Sequence, residues 1–116
     1  MDSKKRLEES KLFTPYKLGS VTLRNRVIRS AAFESMGKDF SPTQALKDYH
    51  VSVAKGGVGM TTVAYASINR SGISFNKQLW LRDEIVPALR DLTDAVHNEG
   101  AAVGIQLGHC GNMTHW

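Results

Sequence analysis

Three apolar, β-prone stretches, residues 27–32, 58–64 and 101–107, alternate with two segments of helical periodicity, and this order constrains the fold more than any other feature. Strands alternating with helices pair in parallel through right-handed crossovers. Strands that are apolar along both faces suit a sheet covered on both sides. The first helical segment opens at Ser41-Pro42-Thr43-Gln44. Read as a capping box, Ser41 is the N-cap, Pro42 takes the first helical position and Gln44 reaches back to the cap. Leu46, Tyr49 and Val53 follow at helical spacing, and Gly56-Gly57 ends the helix. In the second segment Asp83 is the expected N-cap and Ile85, Leu89, Leu92 and Val96 form an apolar stripe. Pro87 lies near enough to the start to be tolerated, and Gly100 stops the helix.

The alternation fits either an open doubly wound sheet or a barrel. The loops leaving the strands are long, whereas those after the helices are tight, at Gly56-Gly57 and Glu99-Gly100. Strand-to-helix loops build barrel active sites, which tilts the reading toward a barrel, although the open sheet shares the rule at its switch point. Ahead of the alternation, residues 1–11 are a polar tail, frayed or a short helix. Residues 12–18 and 21–23 flank a Gly19-Ser20 turn as a hairpin. Residues 34–40 read as a loop, and residues 65–81 as a long connection without clear periodicity.

At 116 residues with 41% hydrophobic content the chain suits one small domain. The net charge of +4 does not gather into a stripe, so no nucleic-acid partner is expected. Lys4, Lys5 and Arg6 are followed at once by Glu8 and Glu9. Arg24, Arg26 and Arg29 alternate with apolar residues, as a phosphate or carboxylate site or as a basic rim beside a strand. A single cysteine, Cys110, excludes an internal disulfide and suits a reducing compartment. The charged start resembles no secretory signal, and no apolar run reaches membrane-spanning length, so a cytoplasmic protein without a membrane partner is expected.

Gly56-Gly57-Val58-Gly59 precedes a strand, whereas a dinucleotide-binding fingerprint follows one. His50, His97, His109, His115 and Cys110 show no zinc-ligand spacing, so no metal site is expected. Neighbours in sequence rarely face each other, so His109 and Cys110 do not read as a catalytic dyad. Gln106 is the informative polar residue, near the C-terminal end of a buried strand. Its amide either points into a barrel mouth or sheet crevice, or is satisfied by neighbouring backbone.

Several segments resemble the old yellow enzyme family of flavin-dependent oxidoreductases. Leu12-Phe13-Thr14-Pro15-Tyr16-Lys17-Leu18-Gly19, with Leu23-Arg24-Asn25-Arg26-Val27, is similar to the family's opening. Arg29-Ser30-Ala31-Ala32-Phe33-Glu34 resembles the end of its first barrel strand, and Gly56-Gly57-Val58-Gly59-Met60 the entry to its second. Val96-His97-Asn98-Glu99-Gly100 is similar to the end of its second helix, and Ile105-Gln106-Leu107-Gly108-His109-Cys110-Gly111 to its third strand. The resemblance implies an α/β chain of (β/α)8 TIM-barrel class with only the N-terminal part present, about three strands and two helices, over residues 12–116. It implies FMN as cofactor, NADH or NADPH as reductant and a small-molecule substrate such as an α,β-unsaturated carbonyl. It places the backbone of Ser30, Ala31, Ala32 and Phe33 along the flavin, Ala64 near its ring and Gln106 on its pyrimidine edge.

There are departures from the family pattern. Ala31, Ala32 and Phe33 stand where many members carry proline, cysteine or threonine. Ser35 falls near a tyrosine of one subgroup, and Asn112 replaces an arginine that often follows His-x-Gly. The family's substrate-anchoring pair, proton-donating tyrosine and flavin-phosphate loops lie in later barrel segments, so no catalytic residue is expected in this chain. A whole barrel has eight strand–helix units and about 250 residues. The chain alone is therefore expected to be inactive, with the remainder of a barrel as a second chain, or another copy of itself, as partner. The alternative is a truncated, non-catalytic half-barrel acting as a binding or oligomerisation module.

Overall fold

The computed structural model describes residues 2–115. A short helix, α1 (Ser3–Glu8), is capped by the Asp2 carboxylate and leads to an antiparallel hairpin of β1 (Tyr16–Leu18) and β2 (Val21–Leu23). Gly19 turns this hairpin with a φ of 60°, the left-handed region that favours glycine. The alternating part then runs β3 (Ile28–Arg29), α2 (Gln44–Lys55), β4 (Met60–Ser67), β5 (Leu79–Trp80), α3 (Val86–Asn98) and β6 (Ala102–Gly108).

All pairings in this second sheet are parallel. β4 is central, with Ile28 opposite Met60 on one side and Ala102 opposite Met60 on the other. β5 joins β4 near its C-terminal end, Leu79 opposite Ala66 and Trp80 opposite Ser67. The ladder between β4 and β6 shifts register between Val63 and Ala66. Helices α2 and α3 pack on each other and on one face of the sheet. Leu46 and Ala54 from α2, Leu92 and Val96 from α3, and Val63, Ala66 and Leu79 from the strands are the buried core. Successive side chains of a strand point to opposite faces, so Val103 and Ile105 join that core while Gly104 and Gln106 face away from the helices. A Cβ at Gly104 would lie 2.7 Å from the Met60 terminal methyl carbon, so a larger residue there would displace the end of that side chain. No described element covers this second face, and Ile28 and Gln106 are exposed on it.

Arg24 ties the helix ends together. Its guanidinium donates to the carbonyls of Ala54, Val58 and Glu99 at 2.6, 3.0 and 2.8 Å, collecting acceptors at the C-terminal ends of both helices. Asn25 adds a 2.6 Å bond to the Gly57 carbonyl.

Several local expectations are corrected. The stretch at residues 27–32 pairs only at Ile28 and Arg29, and Ile28 is exposed rather than buried. The N-cap of α2 is Thr43, not Ser41: the Thr43 hydroxyl accepts from Leu46 N, while Ser41 bonds Asp39 and Arg82. Gln44 bonds Asp48 one turn on instead of reaching back. Asp83 starts a one-turn 3-10 segment, Asp83–Ile85, and α3 has no side-chain cap. The connection expected over residues 65–81 holds the end of β4 and the short β5.

Candidate functional site

The C-terminal ends of β4 and β6 lie side by side, with Ser67 opposite Gly108, whereas β3 pairs only with the start of β4, Arg29 opposite Thr61. Past Arg29 the chain leaves the ladder, so residues 30–33 run on as irregular backbone. Ser30 and Ala32 are exposed there, and Ala31 and Phe33 are half-buried. Ala64, late in β4, is buried, and Gln106, late in β6, is exposed. The residues singled out in the sequence thus lie within β4, late in β6 and on the chain that leaves β3. Gln106 is exposed, and its place in β6 puts it on the face away from the helices. Next to them an aromatic group forms a wall. Phe33 lies 5.1 Å from Tyr65 and 5.1 Å from Phe75, ring centre to ring centre. Burial, with the nearby Cys110 thiol adding to it, holds the Tyr65 hydroxyl above its ordinary range.

Beneath this surface lies a buried polar network that sequence reasoning did not find. The Glu34 side chain is 2% exposed and its carboxylate collects every donor around it. Arg29 donates at 3.3 Å, His50 Nε2 at 2.8 Å, and the Ala64 amide at 3.2 and 3.3 Å to the two oxygens. His50 is fully buried, and its Nδ1 lies 2.8 Å from the Thr61 hydroxyl. Arg29 also donates to the carbonyls of Thr62 and Ala32 at 2.7 and 3.2 Å and lies over the Tyr49 ring. The arginines of the 24–29 segment are therefore engaged within the chain: Arg24 on helix carbonyls, Arg26 over Tyr16 and Arg29 on Glu34. His109 accepts from Gly111 N at its Nδ1, so the ring proton sits on Nε2, 3.1 Å from the Ser71 hydroxyl. Among the described residues no group of three or more His, Cys, Asp or Glu is placed to hold a metal ion.

Comparison with known proteins gives a match to the NADH:flavin oxidoreductase / NADH oxidase family over residues 11–115. The chain belongs to this family. It is 42% identical over 100 residues to a 4,4'-dithiodibutanoate disulfide reductase of Rhodococcus erythropolis, covering 86% of this chain and 25% of that protein. It is 46% identical over 107 residues to a probable N-methylproline demethylase of Rhizobium meliloti, covering 90% of this chain and 16% of that protein. An NADPH dehydrogenase of Listeria welshimeri is 41% identical over 106 residues, 88% of this chain and 31% of that protein. Among solved structures, morphinone reductase in complex with tetrahydroNAD superposes with a TM-score of 0.81 at 26% identity, over 92% of this chain and 29% of that one. The old yellow enzyme of Pichia sp. AKU4542 superposes with a TM-score of 0.86 at 21% identity, over 93% of this chain and 28% of that one, which speaks to the fold alone. The fold is thus that of the first strands and helices of the old yellow enzyme barrel. The chain spans 16% to 31% of the length of these three sequence relatives.

A flavin is the group this family implies. The residues present fit one edge of such a ring. Gln106 offers two donors and an acceptor from an exposed position, which suits the alternating polar atoms of a pyrimidine edge. Ala31 and Ala32 bring only methyl groups to the neighbouring backbone, so a flat ring meets little obstruction there.

Proposed function

We propose that the chain is the N-terminal part of an FMN-dependent NAD(P)H oxidoreductase that reduces activated alkenes such as α,β-unsaturated carbonyls. The observation that carries the reading is the exposed Gln106 amide late in β6, with the small-residue segment at residues 30–33 leaving β3 on the other side of β4, in a chain of this family. When bound, FMN would supply hydride transfer between a reduced nicotinamide and the substrate. The residues of this chain would hold and orient it. Gln106 would bond the pyrimidine edge, the backbone of Ser30, Ala31, Ala32 and Phe33 would lie along the ring, and the Ala64 methyl would leave the ring approach open. The aromatic wall of Phe33, Tyr65 and Phe75 limits access of water from one side.

The named activities of the sequence relatives span disulfide reduction, N-demethylation and NADPH oxidation, so substrate class is the part of the reading that needs its own test. The test supplies the missing strands in trans, as the C-terminal part of the Listeria NADPH dehydrogenase, and follows the flavin absorption band during FMN titration. A perturbed, saturable band is expected, with Gln106→Leu weakening FMN about tenfold, as for the loss of one or two hydrogen bonds. Failure of the assembled protein to take up FMN overturns the flavin reading. NAD(P)H consumption is then compared with an α,β-unsaturated ketone, a linear disulfide and an N-methyl amino acid. Turnover confined to either of the last two overturns the alkene assignment.

A further inference from the structure

The Glu34 network has no part in the reading above, yet it touches both segments assigned to the flavin. We infer that Glu34, with Arg29 and His50, is a positioning device that sets the backbone at Ala32 and Ala64, the two walls of the ligand face. The inference rests on the flavin reading for the identity of that ligand.

The geometry has three parts. First, the Glu34 carboxylate receives the Ala64 amide at 3.2 and 3.3 Å, which fixes β4 at the point where its ladder with β6 shifts register. Second, Arg29 bridges from this carboxylate to the Thr62 and Ala32 carbonyls, so one guanidinium joins β4 to the chain leaving β3. Third, His50 anchors the carboxylate to α2, and the Thr61 hydroxyl orients the imidazole from the other side. In a neutral ring, Nε2–H donates to Glu34 and Nδ1 accepts from Thr61. The Glu34 carboxylate, both His50 ring nitrogens and the Thr61 hydroxyl are all paired, and a satisfied buried network specifies one arrangement. Removing one member leaves buried charge unpaired, a large perturbation in a site this enclosed. A purely structural ion pair has no need to bond both backbone segments that face the ligand. This one bonds the amide of one and the carbonyl of the other.

The test uses the 116-residue chain, without flavin, and compares wild type with Glu34→Ala and Glu34→Gln by nitrogen–proton NMR. In the wild type, slow exchange of the Ala64 amide and a His50 ring carrying its proton on Nε2 are expected. Glu34→Ala is expected to raise Ala64 amide exchange at least about tenfold, equivalent to one lost hydrogen bond. Glu34→Gln retains an acceptor oxygen at the position that Arg29, His50 Nε2 and the Ala64 amide share, and is expected to restore most of the Ala64 protection with the His50 proton still on Nε2. Unchanged Ala64 exchange in Glu34→Ala overturns the inference, as does failure of glutamine to restore it. If Glu34→Ala does not fold, Thr61→Val, which removes only the hydroxyl behind His50, is read in its place: a change in the His50 ring signals with faster Ala64 exchange supports the inference, and an unchanged Ala64 amide overturns it. In the flavin-loaded assembly, Glu34→Ala is further expected to weaken FMN about tenfold, and unchanged FMN affinity overturns the ligand-positioning role. Absence of FMN binding by the wild-type assembly removes the flavin reading instead, and the amide measurements then decide the positioning device alone.

Discussion

Single residues on the ligand side differ in how far the sequence betrays them. Gly72 packs against the His109 ring, and a Cβ there would lie 2.6 Å from His109 Cδ2 and 2.6 Å from the Ser67 hydroxyl oxygen. Gly72→Ala is therefore expected to cost about 1–3 kcal/mol, the range for overpacking a fitted site, and to break the contact between Ser71 and His109. Chemical denaturation measures the cost, and an unchanged midpoint refutes it. Gln106 draws notice in the sequence because an amide inside an apolar strand stands out against its neighbours, and the structure exposes it late in β6. Glu34 and His50 were not legible. They lie sixteen positions apart, on a loop and a helix, and the bond between them exists only once β4 brings Thr61 and the Ala64 amide alongside. A histidine whose partners come from two other elements, a loop and a strand, looks, in sequence, like any other helical histidine.

At the scale of elements, the order of strands and helices was legible because apolar periodicity and glycine stops are local properties. Gly57 and Gly100 take φ of 104° and 84° after α2 and α3, as the stops require. The caps were less legible, because a cap is a competition among nearby polar groups that tertiary contacts settle. Ser41 has the right chemistry for an N-cap, but the Arg82 guanidinium, arriving from beyond β5, occupies its hydroxyl at 3.0 Å. Thr43, two residues later, takes the role. The same dependence on distant partners makes Arg24 the residue on which the helix ends rely. Arg24→Ala removes three hydrogen bonds to the Ala54, Val58 and Glu99 carbonyls. A loss of about 2 kcal/mol is expected, discounted from the full value of three charged bonds because part of the group faces water. Arg24→Lys is expected to recover little, since one ammonium cannot present the planar fork that reaches three carbonyls. Urea unfolding of both variants tests this, and wild-type stability in Arg24→Ala contradicts it.

For the whole molecule, shape and exposure point the same way. The radius of gyration is 16.3 Å with extents of 56 × 28 × 25 Å, whereas a compact domain of this length has about 13 Å. Part of the excess is the α1 segment and the hairpin, whose Leu7, Leu12, Phe13, Tyr16, Leu18 and Val21 are all exposed. The rest reflects a sheet covered on one face only. Its second face exposes Ile28 and Gln106, and its outer strands β3 and β6 present edges that nothing described pairs. Unpaired parallel edges beside apolar surface invite another chain. The purified chain is therefore expected to self-associate through this face, and to retain no FMN after gel filtration, because one open face holds a planar ring from one side only. Light scattering and the visible spectrum of the same sample test both halves of this expectation. A monodisperse monomer with a cooperative transition and a retained flavin band would show that three strands and two helices already make a cofactor site, and the dependence on further barrel strands argued here would fall. A colourless associating species that gains a flavin band when a relative's C-terminal strands are added would place the binding energy in the closed barrel, with residues 30–33 and Gln106 forming one wall of it.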